Sequence, residues 1–165
     1  MKKVIVLLAI SIAVLSCKNQ VKEVEVDRKA GEWVRSGVKY LIGSDEQVEI
    51  VKDLISNYAA MDADAVFSHT RDSLRFFSFN SEIPVIMTVD NLKEKFSSYD
   101  SIVTKPVFFI PLELDGLRSM VQVDYRVIKY NKNGTVEKDL FLEVFIFGEE
   151  GKIRTIRQWT ATAAW

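Results

Sequence analysis

The 165-residue chain contains one cysteine and one histidine. A single thiol cannot close a disulfide within the chain. Cys17 and His69 are also too small an inventory of soft ligands for a zinc-type site, and the carboxylates show no ligand spacing, so no metal is expected. A Gly-x-Ser-x-Gly elbow is missing, which argues against a serine hydrolase, and so is a glycine-rich phosphate loop; no cofactor is expected. The 22 Lys and Arg residues are scattered among 23 Asp and Glu residues. Without a basic stripe to displace counterions from a phosphate backbone, no nucleic acid partner is expected. No apolar run approaches the roughly 20 residues needed to cross a bilayer.

What is present starts at the N-terminus. Met1-Lys2-Lys3 is positive, and the uncharged run from Val4 to Leu15 ends at the small residue Ser16, the form of a signal segment. Val14-Leu15-Ser16-Cys17 resembles the lipobox of bacterial lipoproteins, in which the cysteine is alkylated with diacylglycerol and becomes the acylated mature N-terminus. The competing reading is an ordinary secretory signal in which Cys17 is incidental. The resemblance implies removal of residues 1–16, lipidation of Cys17 and contact with a membrane through lipid; residues 17–43 read as the lipidated cysteine and a tether, whose second part, with Trp33 and Tyr40, reads as docking on the fold. Each buried methylene adds about 0.8 kcal/mol, so more than one chain gives stable anchoring. Lys18 is not the aspartate associated with inner-membrane retention, so the resemblance implies an outer-membrane lipoprotein of the bacterial cell envelope, facing the periplasm. Loss of Lys2 and Lys3 leaves 20 basic against 23 acidic residues, a charge near −3. Attachment would therefore come from lipid. The remaining chain of about 150 residues suffices for one domain with a core.

That domain is expected over residues 44–165. Ser44-Asp45-Glu46-Gln47 has the form of a capping box, and Val48, Val51, Leu54, Ile55 and Tyr58 then recur at helical spacing. Asp62 caps a second, short helix, and Ser73 to Phe79 reads as a strand. Thr88 caps a third helix with Val89, Leu92, Phe96 and Tyr99 on one stripe. Four long strands follow, roughly 102–114, 117–130, 135–147 and 152–161. They are punctuated by Asp115-Gly116, Asn133-Gly134 and Gly148-Glu-Glu-Gly151, which suit hairpin turns. Helices followed by a meander define an α+β class. Strands this long require a twisted, curved sheet with a hollow side, and Pro106 and Pro111 mark an edge or a bulge. In the third long strand Leu140, Leu142, Val144 and Ile146 face one way and Phe141, Glu143, Phe145 and Phe147 the other. Both faces are apolar, so helices are expected on one and a second subunit on part of the other.

The stretch Asn57-Tyr58-Ala59-Ala60-Met61-Asp62-Ala63-Asp64-Ala65-Val66, then Arg71-Asp72 and a strand, resembles the nuclear transport factor 2-like superfamily, nearest to its SnoaL-like branch. The closing Phe147-to-Ile153 hairpin with Trp159 fits the same pattern. The resemblance implies a cystatin-like cone roll: a curved antiparallel sheet wrapped around a long N-terminal helix, with a pocket at the open end and homodimers through the sheet. The superfamily includes isomerases, dehydratases, hydrolases and binding proteins without catalysis. Its ketosteroid isomerases hold an enolate oxygen with a tyrosine on the first helix and an acid on the third meander strand, positions that fall on Tyr58 and Glu143. The base, an aspartate on the first strand, falls on Ser78. A serine hydroxyl is too weak to abstract a carbon-bound proton unaided, which argues against this chemistry as the family performs it.

The leading expectation is a domain that binds a small, partly hydrophobic ligand or a protein partner without catalysis. The alternative is an isomerase or dehydratase using Tyr58, Glu143 and His69. Tyr58 either donates to a ligand oxygen or fills the core. Glu143, among phenylalanines, is either a neutral acid raised by desolvation or the partner of Arg126 or Arg157. His69 ends the second helix, where it is a proton-transfer group or a surface residue. Phe77, Ser78, Arg157 and Trp159 complete the pocket candidates.

Overall fold

The computed structural model describes residues 29–33, 37–78, 81–114 and 116–162. Cys17, the lipobox and the signal segment lie outside the described residues. The elements are β1 (Lys29–Trp33), β2 (Val38–Ile42), α1 (Asp45–Ala59), α2 (Ala63–Ser68), β3 (Thr70–Ser78), β4 (Val85–Met87), α3 (Val89–Phe96), β5 (Tyr99–Leu114), β6 (Arg118–Asn131), β7 (Val136–Phe147) and β8 (Ile153–Thr162). All the strands join one curved sheet in the order β1-β2-β5-β6-β7-β8-β3-β4.

The helix caps differ from expectation in one respect. Ser44 Oγ accepts from the Glu46 amide at 3.1 Å, but Gln47 does not close a box: its Oε1 is buried without a hydrogen-bond partner among the described residues. The reciprocal box forms at α3, where Thr88 Oγ1 accepts from Asn91 N at 3.3 Å and Asn91 Oδ1 from Thr88 N at 3.2 Å. Asp62 Oδ1 caps α2 by accepting from Ala65 N at 2.9 Å. Just before α1 the chain crosses β5 at Gly43, where a Cβ would stand 3.0 Å from the Leu112 backbone nitrogen. A side chain there would make a tighter contact than most, so glycine eases the close approach of the chain to β5.

Three further differences bear on the site. Tyr99 begins β5 instead of ending α3, because the Ser97 and Ser98 hydroxyls donate to the Glu94 and Lys95 carbonyls and close the helix there. The second part of the tether, read as docking on the fold, does so as β1 and β2, which pair with each other, β2 also pairing with the end of β5. The meander β5-β6-β7-β8 is antiparallel, whereas β3 pairs with β8 in parallel, so the sheet is mixed. After β3 the chain passes through β4 and α3 to the far strand β5, and the meander then returns β8 to the side of β3 in the same direction.

Alternation along each strand sorts the two faces. Val121, Val123, Tyr125 and Val127 of β6 and Phe141, Phe145 and Phe147 of β7 are buried in the hollow, in one core with Val51, Leu54 and Ile55 of α1. Each such side chain contributes on the order of 1.5–3 kcal/mol of transfer free energy. The pairing of β5 with β6 shifts register between Pro106 and Phe108, a bulge at the proline that lacks a ladder donor. On the convex face Leu140, Leu142, Val144 and Ile146 are only half-buried.

Candidate functional site

In the hollow, the three helices and strands β3, β4, β6, β7 and β8 leave an apolar cavity of about 70 Å³. Tyr58 of α1, Lys95 of α3, Tyr125 of β6, Glu143 of β7 and Gln158 of β8 supply its polar wall, with Phe76, Phe141, Phe145 and Ile156 among its apolar lining.

Glu143 is the centre of this wall. It is 4% exposed, and both of its oxygens accept hydrogen bonds: Oε2 from the Tyr125 hydroxyl at 2.7 Å and Oε1 from Gln158 Nε2 at 2.6 Å. Desolvation pushes its pKa up to about 7, against the opposing pull of those two hydrogen bonds and of the Lys95 charge. The register explains the trio, because Glu143 faces Gln158 across β7 and β8 and follows Phe141, the partner of Tyr125, by two residues. Tyr125 also meets Phe141 edge-on, ring centres 5.5 Å apart. Its phenol is pushed well above its ordinary pKa by burial and by the Glu143 charge.

Tyr58 packs edge-on against Phe96 of α3, ring centres 5.3 Å apart, and its hydroxyl has no hydrogen-bond partner among the described residues. Burial and neighbouring negative groups raise its pKa. Lys95 is exposed, yet desolvation where it meets the wall and the nearby Lys129 charge lower its pKa, and it has no salt bridge among the described residues. Lys129, by contrast, is paired with Asp139 at 2.7 Å and Glu137 at 3.4 Å, and its ammonium stands 5.2 Å from the Phe141 ring centre. Burial is the largest single influence and works against its charge, but the hydrogen bond and charge of Asp139, together with Tyr99 and Glu137, outweigh it and raise its pKa.

Of the sequence candidates, Tyr58 and Glu143 meet in this cavity. The others are placed elsewhere. Phe77 pairs with Arg157 and stacks beneath its guanidinium at 4.7 Å, with Arg75 at 5.4 Å, on the convex side. Phe76, one residue earlier, is the side chain that lines the interior. Trp159 pairs with Leu142 and also belongs to the convex side. Ser78 is exposed and lines, with Phe77, Ser81, Arg157 and Trp159, a separate cleft of about 540 Å³. His69 is the C-cap of α2, and its carbonyl accepts from Ile153 N at 3.0 Å. Neither arginine is the partner of Glu143: Arg157 stands on the opposite face, and Arg126 alternates outward from Tyr125. Lys95, Tyr125 and Gln158 are site residues the sequence reading missed.

A larger trough of about 1030 Å³ crosses the convex face, floored by Leu112, Leu114, Val144 and Ile146 and bordered by Val38 and Tyr40 of β2. Among the described residues, no group of three His, Cys, Asp or Glu side chains is placed to hold a metal, and no helix is long and apolar enough to cross a membrane.

No family model matches the sequence, and no curated protein matches it. Solved structures do share the architecture. A SnoaL-like protein of unknown function from Burkholderia thailandensis is 18% identical, with 73% of this chain and 98% of that chain covered at a TM-score of 0.55. A ketosteroid isomerase-like protein from Erwinia carotovora atroseptica is 13% identical over 70% of this chain and 94% of that chain, TM-score 0.53. An LEH-like epoxide hydrolase of M. tuberculosis is 15% identical over 72% of this chain and 84% of that chain, TM-score 0.58. At such identities the likeness establishes the cystatin-like cone fold, and the names span proteins with and without an assigned reaction.

Proposed function

We propose that this chain is a lipid-anchored protein of the bacterial envelope, of the SnoaL-like branch, whose cone domain binds a small, partly hydrophobic guest in the cavity beside Glu143. A second copy covers the convex face. The observation that carries the binding reading is Glu143 itself. A carboxyl in an apolar interior works against folding, and a volume-matched apolar residue would pack the site better if packing were its whole purpose. Its retention with two dedicated donors, next to free space and an unpartnered tyrosine hydroxyl, is the arrangement of a binding wall.

The cavity sets the size of the guest. Its 70 Å³ is well below the 300–1,000 Å³ typical of pockets for drug-sized ligands, so the guest has only a few heavy atoms. The half-buried apolar strip on β7 supports pairing of two copies, and Cys17 within its lipobox supports the anchor. The test is a titration of the full chain with small carbonyl and carboxylate compounds, read from the amide resonances of Phe141, Phe145 and Ile156. Saturable shifts at those residues are expected, and their absence across the series contradicts the reading.

Turnover of the isomerase or dehydratase kind is the second reading. One observation favours it: a carboxyl with a pKa of about 7 is matched to proton transfer near neutral pH. Against it, Ser78 and His69 both lie outside the cavity, so Glu143 would have to remove and return the proton alone.

A further inference from the structure

The cavity wall carries two donors that are not engaged with other side chains, whereas its acceptors are partly engaged. Both Glu143 oxygens are occupied by Tyr125 and Gln158, and the Gln158 side-chain oxygen accepts from Thr160 Oγ1 at 3.3 Å. The backbone of β6 to β8 is paired in the ladder around these residues. Tyr58 and Lys95 line the same space, and neither the Tyr58 hydroxyl nor the Lys95 ammonium has a hydrogen-bond partner or salt bridge among the described residues. These two donors favour a guest that brings acceptors.

We infer that the guest is a short-chain carboxylate, with its anionic head on the Lys95 ammonium and the Tyr58 hydroxyl and its alkyl body against Phe141, Phe145 and Ile156. This rests on the reading of the cavity as a binding site. Charge selects the head. An amine would place a second cation beside Lys95, and a neutral carbonyl would accept only an ordinary hydrogen bond from it, whereas a carboxylate forms the stronger, charge-assisted bond. Lys129, the other nearby cation, is already held between Asp139 and Glu137, so Lys95 is the one of the two left to receive an anion. Volume selects the tail. A water needs roughly 10–15 Å³ of cavity space of this kind, so 70 Å³ admits about five non-hydrogen atoms, the size of an acid of about three carbons.

Propionate and propionamide have the same shape and differ in charge, so they are the probes. Each is titrated at pH 6.0 into the full chain, solubilised in a detergent whose chains are too long for the cavity, and followed by the amide shifts of Phe141 and Phe145. Propionate is expected to bind about tenfold more tightly than propionamide, the preference of a charge-assisted contact. Lys95→Met should bring the ratio to about one while propionamide still binds, and Lys95→Arg should restore the preference. Equal affinity of the unsubstituted protein for both probes, or a preference that survives in Lys95→Met, overturns the carboxylate assignment and leaves the binding site standing. Failure of both probes to shift the cavity resonances overturns the assignment and the binding reading together.

Discussion

The Tyr125 hydroxyl and the Glu143 carboxyl stand 2.7 Å apart on neighbouring strands, in an interior otherwise built from aliphatic and aromatic side chains. With Gln158 donating to the other oxygen, each oxygen of the acid accepts a hydrogen bond, yet the acid remains in a medium that disfavours its charge. The expected behaviour of the protein follows from that tension.

Glu143 in the folded protein titrates near 7, above the ordinary carboxyl value of 4.5, so the folded state binds more protons than the unfolded state between those two pH values. Stability attributable to this group is greatest below about pH 4.5 and declines as pH rises to about 7. Glu143→Gln removes the titration. Urea denaturation at pH 4.5 and pH 8 should show the variant gaining on the unsubstituted protein by up to about 3 kcal/mol across that interval. An unchanged difference at the two pH values means that the acid is not desolvated.

Tyr125→Phe keeps the ring against Phe141 and deletes one of the two donors to Glu143. A loss of about 1–3 kcal/mol is expected at pH 8, where the acid is charged, and a smaller one at pH 5. Because the Tyr125 bond lowers the Glu143 pKa, its removal should raise that pKa further. Equal losses at both pH values would separate Tyr125 from the charge state of Glu143.

Val144 and Ile146 are half-buried on the convex face, on the floor of the trough. Val144→Glu should convert a dimer to a monomer in sedimentation experiments, with circular dichroism unchanged, because an unpaired carboxylate in an apolar contact is costly to bury. A sedimentation profile that does not move removes the second copy from the account.

Cys17→Ser should shift the protein from the membrane fraction to the soluble fraction. Neither the scattered charges nor any described helix provides another attachment. Membrane association that persists in the variant contradicts the lipid anchor.

Much of the fold was legible because its signals are local. The stripe Val48, Val51, Leu54, Ile55 specified α1, and the Asn133-Gly134 and Gly148-to-Gly151 turns separated the meander strands close to their observed ends. The site was half legible. Tyr58 and Glu143 stood out, one as a polar tip on an apolar stripe and the other as an acid between phenylalanines. Tyr125 did not, because it occupies its place on β6 as any buried apolar residue would. Phe77, Arg157 and Trp159 were assigned to the interior although they share the convex side, and Phe76 and Gln158 lie next to them in sequence but inside. A single residue of register reverses the face of every side chain in a strand, and β3 meets β8 through a register shift that no local pattern announces. Lys95 was hidden for another reason: near the end of α3, beside the surface residue Lys93, it reads as a solvated cation until the helix is docked over the hollow.

The most direct measurement is the carboxyl carbon resonance of Glu143, followed from pH 4 to pH 9 in the presence and absence of saturating propionate. Without propionate the account predicts a midpoint near 7. With it, the midpoint should be higher, because an anion held beside the acid disfavours ionisation. A midpoint near 4.5 that does not respond to propionate would contradict both the buried neutral acid and the cavity as a place where a guest is held.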